Sequence, residues 1–514
     1  MKPSIEQLLH IYGPMSSSAL REKLIANGLT EVNARQRISR VGGDVQRFTH
    51  FSLPKNEAFL YLTKDYNSRR YWIALLESHV NARTVYAHTF FAFHPYQGAI
   101  PTYLFSKVSG SPDKLKGHIA SSRLEAQLLK GSVLRREVDV VLGDCLVTYI
   151  NNINGVTDTQ HVRNQLLVED ILIKGVADWI KHNSLGSFNK VQVRNSQNMP
   201  SFSHHHWDIC APSYIMPLAT VQKGEMSNGF IVADVIYNDL DSKSIQTYLT
   251  KVQRCRNMRN TRPFLAMLIA ERFDPEAFRL AKQAGVMATT VSNLLGQDIS
   301  ALLSSLLNTL NRAGAIAAAN PEKINELFKG LTRIEGAAIN IRGVMFEMLV
   351  GHIVLKTQNV STVDLNKQIS TEAGKAEIDV IGFRGEAEIK CYECKGYEVK
   401  RLISVEMIEK WLERVQRIRK FYSQIHVYRD RKMTFSFWTS SDFEPEALEL
   451  LLHQKQRNTK ISLDWKNGRD ILSIVKEDNL KSIADVLQEH YLRHPLAPDA
   501  DMYDLPPRLD TTLS

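Results

Sequence analysis

Two neighbouring apolar runs in the last third of the chain carry the residues best suited to chemistry. Asp379 lies in AEIDVIGFR, and Glu393 and Lys395 stand one residue apart in AEIKCYECKGY. Because side chains alternate along a β-strand, Glu393 and Lys395 should emerge on the same face. Carboxylates at the ends of adjacent strands suit a hard divalent cation, which binds oxygen ligands and lowers the pKa of an attacking water. The pattern therefore indicates metal-dependent hydrolysis of a phosphodiester.

This arrangement strongly resembles the PD-(D/E)XK nuclease superfamily, the restriction-endonuclease-like fold. In that family an acidic residue ends one strand, (D/E)xK lies on the neighbouring antiparallel strand, and a Glu of the first helix often adds a third carboxylate. The resemblance covers about residues 335–480. It implies that Asp379, Glu393 and Glu347 hold Mg²⁺ or Mn²⁺ and that Lys395 orients or activates water.

Two departures from the family pattern, and one plainer interpretation, stay open. Ile378 stands where the family name has Pro, and Glu377 is expected on the same side as Asp379, so it could share or replace the role of Asp379. A charged sheet edge would also explain the bare motif. The order of strand, strand and basic helix, with Glu347 upstream, favours the nuclease site.

A second set of acidic residues occupies matching positions earlier in the chain. Asp234 ends a strand as Glu393 does, but Ile236 stands where the motif has Lys. Lys251, 17 residues after Asp234, is a substitute, although Lys410 has the same spacing from Glu393 and both helical lysines therefore look like surface or backbone-contact residues. We expect a degenerate DNA-binding or dimerising copy more than a live site. The residues of this second candidate site are Glu169, Asp208, Asp234 and Lys251.

The elements around both sets follow one order. From about residue 160 the chain alternates helix, strands, helix, strand, helix and strand, and the order recurs after a helical connector at 296–330. We interpret this as an internal duplication of one α/β domain. The predicted fold class is α/β (α+β), with tandem restriction-endonuclease-like domains, each a mixed sheet flanked by helices, preceded by winged-helix domains.

Three predicted helices, at 4–12, 16–27 and 31–41, open the chain, and a hairpin of HFSL and AFLYL follows. They resemble a winged helix-turn-helix whose third helix is the recognition helix. Its outer face carries Arg35, Arg37 and Arg40, which we expect to contact DNA; a solvated basic face or a protein-docking module is the alternative. At 68–150 the sequence predicts three helices (YWIALLESHV, a stretch around 103–108, and SSRLEAQLLKGSVLRREV), then the strand DCLVTYI. We interpret this order as a second winged helix, although PTYLFSK also suits a strand.

These elements divide the chain into five predicted segments. They are a winged helix-turn-helix at 1–66, a second winged helix at 67–155, a restriction-endonuclease-like domain with an incomplete motif at 156–310, a nuclease domain at 311–490 and a flexible tail at 491–514. The helix after the complete motif carries Lys410, Arg414 and Arg417, a face suited to phosphate contact. A solvated helix with Trp411 in the core is the alternative.

Composition favours a polyanionic partner. The chain has 64 Lys and Arg against 55 Asp and Glu, a formal net charge of +9, which points to nucleic acid first and an anionic membrane second. Five scattered cysteines favour reduced thiols, the first residues lack the apolar core of a signal peptide, and no run reaches about 18 apolar residues. We expect a cytoplasmic protein without membrane insertion. No P-loop, HExxH or GxSxG motif supports ATP hydrolysis, zincin chemistry or acyl transfer.

The preferred hypothesis is a Mg²⁺-dependent DNA endonuclease, and the resemblance implies a prokaryotic restriction or anti-phage defence setting. One such site cuts one strand, so a double-strand break would need a homodimer or a working first copy. One alternative is a DNA-binding regulator or scaffold whose nuclease-like domains are inactive. Another keeps the nuclease but makes the winged helices docking modules for a partner ATPase or sensor. RNA also stays open as substrate, because the motif residues would contact only the phosphate backbone.

Overall fold

The chain forms two compact units, Met1–Leu294 and Leu295–Ser514. A computed structural model describes residues 3–148, 159–195, 198–222, 225–311, 326–327, 329–330, 338–371, 374–385, 387–397, 401–429, 431–458 and 461–492. The predicted α+β class is confirmed, since helices alternate with mixed sheets in these residues. The five cysteines are buried free thiols. Each described helix is either too short or too polar to cross a bilayer. Most of the predicted tail, and much of the connector, lies outside the described residues.

Three helices and a small sheet form the first module of unit 1. Helix α1 begins at a capping box, in which Ser4 Oγ accepts a hydrogen bond from the backbone N–H of Gln7 and Gln7 Oε1 accepts one from the backbone N–H of Ser4. The strands pair in the order β1-β3-β2. The elements are α1 (Ile5–Tyr12), β1 (Met15–Ser16), α2 (Ser17–Ala26), α3 (Glu31–Ser39), β2 (Val45–Arg47) and β3 (Phe59–Leu62).

The predicted hairpin was wrong in its first strand. β3 pairs with Val45–Arg47 and not with HFSL. Phe51 and Leu53 are buried in the core of the next module, where Phe51 stacks on Tyr86 with ring centroids 4.2 Å apart. Their alternation therefore reflects tertiary packing against another part of unit 1, which periodicity alone does not distinguish from a strand.

A second module of similar order follows. Its elements are α4 (Arg69–Asn81), α5 (Val85–Ala92), β4 (Ala99–Pro101), α6 (Phe105–Ser109), α7 (Ser121–Lys130), β5 (Leu134–Asp139) and β6 (Gly143–Thr148), and its strands pair in the order β4-β6-β5. The prediction missed α5 and extended α7 through residues that form β5. Gly131 caps the C-terminus of α7, and Gly143, at φ +71°, supplies the left-handed conformation at the turn that pairs β5 with β6. PTYLFSK is mostly helical, as predicted.

The rest of unit 1 is built around a five-stranded sheet of order β15-β14-β13-β10-β7. β7, β10 and β13 pair antiparallel, and β13, β14 and β15 pair parallel. The elements are α8 (Thr159–His182), β7 (Gln192–Val193), β8 (Ser201–Phe202), β9 (His205–His206), β10 (Ile209–Pro212), β11 (Thr220–Gln222), β12 (Glu225–Ser227), β13 (Phe230–Leu240), α9 (Gln246–Asn257), β14 (Phe264–Phe273), α10 (Pro275–Gln283) and β15 (Met287–Thr290). Helix α11 (Val291–Leu295) follows at the boundary of the two units, and α12 (Gln297–Asn311) belongs to unit 2.

Unit 2 contains the second five-stranded sheet, of order β16-β17-β18-β19-β20. Its first three strands pair antiparallel and its last three parallel, so the two sheets share one plan. In both, a long helix precedes the sheet and helices join the parallel strands. The elements are α13 (Ala338–Thr357), β16 (Thr362–Thr371), β17 (Gly374–Arg384), β18 (Glu388–Lys395), α14 (Val405–Gln424), β19 (Lys432–Thr439), α15 (Pro445–Arg457), β20 (Ser462–Lys466), α16 (Gly468–Glu477) and α17 (Lys481–Leu487).

Candidate active site

The two acidic strands of unit 2 separate where the candidate site begins. The β17–β18 ladder ends at the pair Val380 and Tyr392, and Asp379 is the next residue on β17. Asp379 Oδ2 accepts a hydrogen bond of 2.8 Å from the backbone amide of Cys394. The carboxylate thus bonds to β18 beyond the end of the ladder. This contact brings Asp379 to the end of the strand that carries Glu393 and Lys395.

Lys395 lies between the two carboxylates. Its Nζ is 2.7 Å from Glu393 Oε1 and 3.7 Å from Asp379 Oδ2. Arg414, on α14, also reaches Glu393, with its Nη2 2.6 Å from the same Oε1. The structure therefore brings together Asp379, Glu393 and Lys395, as predicted. It adds Arg414, which the sequence suggested only as a DNA contact.

Burial and the close charges shift the pKa values of this cluster. Asp379 and Glu393 are 7% and 4% exposed. Burial, the Glu393 carboxylate and more weakly Glu377 raise the pKa of Asp379 to about 7, against the opposing effects of Lys395 and the Cys394 amide. Burial disfavours the charge on Lys395, but Asp379 and Glu393 outweigh it and raise the Lys395 pKa above its ordinary value. The raised pKa of Asp379 means that Lys395 and the Cys394 amide do not fully offset burial and the neighbouring carboxylates.

Glu347 and Glu377 border the cluster. Helix α13, which carries Glu347, packs on β17 and β18. Burial raises the pKa of the Cys394 thiol, and the carboxylates of Asp379 and Glu347 raise it further, which places Glu347 beside β18. Glu377 is buried close enough to affect Asp379. Their roles as metal ligands stay predictions.

The donor set fits a magnesium ion, although no complete cage is present. Among the described residues, no group of three or more His, Cys, Asp or Glu side chains is arranged to hold a metal. The contacts of the two carboxylates with described residues all use Asp379 Oδ2 and Glu393 Oε1. The second oxygen of each carboxylate could therefore bind a cation. Mg²⁺ is commonly held by one or two carboxylates while several waters complete its shell.

The second candidate set is also brought together, but by a different kind of network. Lys107 Nζ lies 2.8 Å from Asp208 Oδ2, Arg194 contacts Asp208 at 3.3 Å and Glu169 at 3.4 Å, and Lys251 contacts Asp234 at 2.5 Å. These six side chains are 0–4% exposed. A neighbouring cavity of about 20 Å³, lined in part by Lys107 and Asp234, has room for about one water.

Each carboxylate of this set is thus paired with a protein cation. Lys107, delivered by α6 of the preceding module, and Arg194, which follows β7, were not singled out by the sequence, because neither lies at motif spacing. Lys251 was expected at the surface or on a backbone and is instead buried against Trp207, with its Nζ 3.8 Å from the ring centroid. Lys410, at the same spacing in unit 2, is exposed and pairs with Glu406.

The remaining basic residues chosen from the sequence lie on open surfaces. Arg35 pairs with Glu31 on α3, and Arg417 lies 3.6 Å from Glu413 on α14. Arg37 and Arg40 line an open groove of about 690 Å³ between α1, α3 and β2. Trp411 is buried against Phe437, as the alternative for α14 expected. Contact of these surfaces with DNA stays a prediction.

Comparisons with known proteins give little beyond this geometry. No protein-family model and no curated protein matches the chain. The protein of unknown function AF1548 aligns with 24% of this chain and 64% of its own at 16% identity, with a TM-score of 0.19. The restriction endonuclease FokI bound to DNA aligns with 57% of this chain and 65% of its own at 11% identity, with a TM-score of 0.17. Each alignment spans just under two thirds of the solved chain, and similarities this weak carry no conclusion about fold or activity.

Proposed function

We propose that the protein is a metal-dependent DNA endonuclease whose single catalytic centre lies in unit 2, at Asp379, Glu393 and Lys395. One observation carries the proposal. Two buried carboxylates from adjacent strand ends meet at a lysine that can reach both, in the order that the PD-(D/E)XK resemblance implies. Two neighbouring carboxylates, one with a raised pKa, suit a divalent cation, and Mg²⁺ or Mn²⁺ is the proposed cofactor.

Each residue has a distinct task in phosphodiester hydrolysis. When bound, the metal would polarise the phosphate and lower the pKa of the attacking water. Asp379 and Glu393 would hold it through the oxygens that face away from Lys395. Lys395 would orient the water and stabilise negative charge on the phosphate as the bond to the leaving oxygen breaks. Arg414 holds Glu393 in place from α14.

The buried set in unit 1 supports a structural role for the first sheet. Each of Glu169, Asp208 and Asp234 already has a protein cation at hydrogen-bonding distance. Opening that network to admit a metal would strip buried charges of their partners, which costs about 3–5 kcal/mol per broken pair. One centre cuts one strand, so we propose that a double-strand break requires two copies of the chain.

The proposed setting follows the resemblance. The exposed arginines of α3 and the basic face of α14 are proposed to contact DNA, in the cytoplasm of a prokaryote and within a restriction or anti-phage system. A partner ATPase or sensor would supply targeting if the N-terminal modules dock protein instead. A scaffold with no catalytic activity is the competing function, favoured only by the inert first sheet.

The test is cleavage of supercoiled plasmid with Mg²⁺ by the full chain and by Lys395→Ala. We expect the wild type to nick or linearise the plasmid, and Lys395→Ala and an EDTA lane to lose this activity by at least about 100-fold. Lys432→Ala is the matched control, because this exposed lysine pairs with Glu388 at the opposite end of β18. It removes the same charge from the same strand pair and should cleave normally.

Three outcomes would contradict the proposal. Cleavage that survives Lys395→Ala would move the chemistry elsewhere in the chain. Equal loss in Lys395→Ala and Lys432→Ala would indicate general destabilisation. DNA binding without cleavage, on unmodified, modified and phage DNA alike, would favour the scaffold.

A further inference from the structure

We propose that unit 1 contains a phosphate-binding surface for the backbone of DNA, formed by Arg83, His88, His118 and Arg254. We call these four residues the basic cluster. They lie outside the buried network of the first sheet and outside α3. The choice of DNA as the ligand rests on the proposed nuclease function, whereas affinity for a phosphodiester follows from the cluster itself.

The cluster is assembled where α5 and α6 pack on α9. Arg254, on α9, donates from Nη1 to the carbonyl oxygen of Gly110 at 3.3 Å. Gly110 ends α6 at φ +59°, and a Cβ there would lie 2.6 Å from the Thr247 carbonyl oxygen, so the two helices approach closely. Glycine at this position therefore lets α9 present Arg254 beside the loop that carries His118.

The charged groups that act on the two histidines of the cluster are arginines. Burial lowers the pKa of His88, and Arg254 and Arg83 lower it further. Burial and then Arg254 lower the pKa of His118. These effects place the four side chains near one another in addition to the packing of their helices.

No carboxylate balances the cluster among the residues that the structure describes. Arg254 bonds only the Gly110 carbonyl, and the acid of the adjacent loop, Asp113, is engaged by His206 at 2.8 Å. Other arginines of unit 1 differ in this respect. Arg272 and Arg279, for example, each form a two-point ion pair with a carboxylate.

A phosphodiester would supply the negative charge that no neighbouring carboxylate supplies to this surface. The Arg254 guanidinium keeps donors beyond the one used by Gly110, and a planar fork binds phosphate oxygens in pairs. Lys114 and Lys116, exposed on the same loop as His118, extend the positive surface along a strand of repeating phosphates. A single small anion would not engage the full width of this surface.

The experiment measures binding of the full chain to a fluorescent DNA duplex by anisotropy, in EDTA and at several salt concentrations. We expect Arg254→Gln to weaken binding about tenfold and to reduce the slope of log K against log salt by about 1, as for one lost phosphate contact. Arg83→Ala with His118→Ala, at exposed positions, should act likewise and decides the result if Arg254→Gln does not fold. Arg279→Ala is the control, because it removes one positive charge from an exposed pair on α10.

Equal affinity and salt slope for both cluster variants and Arg279→Ala would overturn the proposal. So would variants that lose binding to vesicles with anionic lipid but keep wild-type DNA affinity. Because EDTA prevents metal-dependent cleavage during the binding assay, the proposed DNA-binding surface can be rejected independently of the proposed nuclease activity. An inactive chain whose DNA binding falls in the cluster variants keeps the surface and rejects the enzyme.

Discussion

At the scale of residues, the candidate site depends on a single oxygen shared by two cations. Glu393 Oε1 lies 2.7 Å from Lys395 Nζ and 2.6 Å from Arg414 Nη2. Lys395 also lies 3.7 Å from Asp379 Oδ2, and it would have to change partners when a metal and a phosphate enter. Arg414 comes from a helix packed on the sheet and can keep Glu393 fixed during that exchange. We therefore regard Arg414 as a positioning residue.

Replacing Arg414 should slow turnover while leaving the fold intact. In Arg414→Gln, Glu393 keeps Lys395 but loses its fixed partner, and loss of such a supporting contact costs about 10–100-fold in activity or metal affinity. Initial rates at saturating Mg²⁺ and DNA, with a melting curve of each variant, provide the measurement. Arg414→Lys should restore part of the rate because the charge returns. If turnover is unchanged and only DNA affinity falls, Arg414 is a backbone contact, as the sequence first suggested.

At the scale of elements, two sheets of the same topology differ in how their acidic residues are paired with cations. In unit 1, helix α6, the residue after β7, and helix α9 each deliver a cation to the carboxylates. In unit 2, only Lys395 and Arg414 are ion-paired with the central carboxylates within the described residues, and Asp379 is left with a raised pKa. The first arrangement pairs every carboxylate with a protein cation, and the second leaves Asp379 with a raised pKa, which fits the ligand site proposed there.

Matched Asp→Asn substitutions in the two sheets should have opposite effects on stability. Asp208→Asn leaves the buried Lys107 without its carboxylate and should lower the free energy of unfolding by about 3 kcal/mol. Asp379→Asn removes a carboxylate crowded by Glu393, so stability at pH 8 should be equal or slightly higher while cleavage is lost. Urea unfolding and plasmid cleavage of both variants give the comparison. A stable Asp208→Asn protein that no longer cleaves would assign catalysis to the first sheet.

At the scale of the whole molecule, the two units should respond differently to acid. Burial lowers the pKa of His79 and His205, both in unit 1, to about 4, against an unfolded value near 6.5. Between pH 6.5 and 4 the unfolded chain therefore binds protons at these sites that the folded chain does not. Stability is retained above about pH 6.5 and falls as pH drops toward 4.

Thermal unfolding from pH 7.5 to 4.5 tests this expectation. Near pH 5, each histidine lowers the free energy of unfolding by up to about 1.4 kcal/mol for each unit by which the pH falls. The melting temperature of unit 1 should therefore decrease as the pH falls from about 6.5 to 4.5. His79→Gln should reduce the pH dependence, whereas His453→Gln, at an exposed residue of unit 2, should not. A pH dependence that is the same in both variants would show that His79 takes up its proton in the folded state.

Local sequence patterns determined most of the elements and one of the two charge clusters. Strand alternation and the spacing of Glu393 and Lys395 predict residues that the structure does bring together with Asp379, because adjacent antiparallel strands bring nearby segments into register. The helices at the start of the chain and the shared order of both sheets follow equally from periodicity and capping. HFSL was misassigned because an alternating apolar run is typical both of a strand and of a segment buried in the core. SVLRREV was misassigned as a continuation of α7, although Gly131 caps that helix and β5 follows it.

Only the tertiary structure decided how the charges of each acidic cluster are paired. Lys107 lies 101 positions before Asp208, and Arg414 lies 21 positions after Glu393, so no motif spacing connects either pair. Whether a carboxylate is neutralised depends on which distant cation the packing delivers to it, and on how much water is then excluded. Coulomb interactions act through space and burial is a property of the assembled chain. For this reason the same acidic pattern became a structural core in unit 1 and a candidate catalytic centre in unit 2.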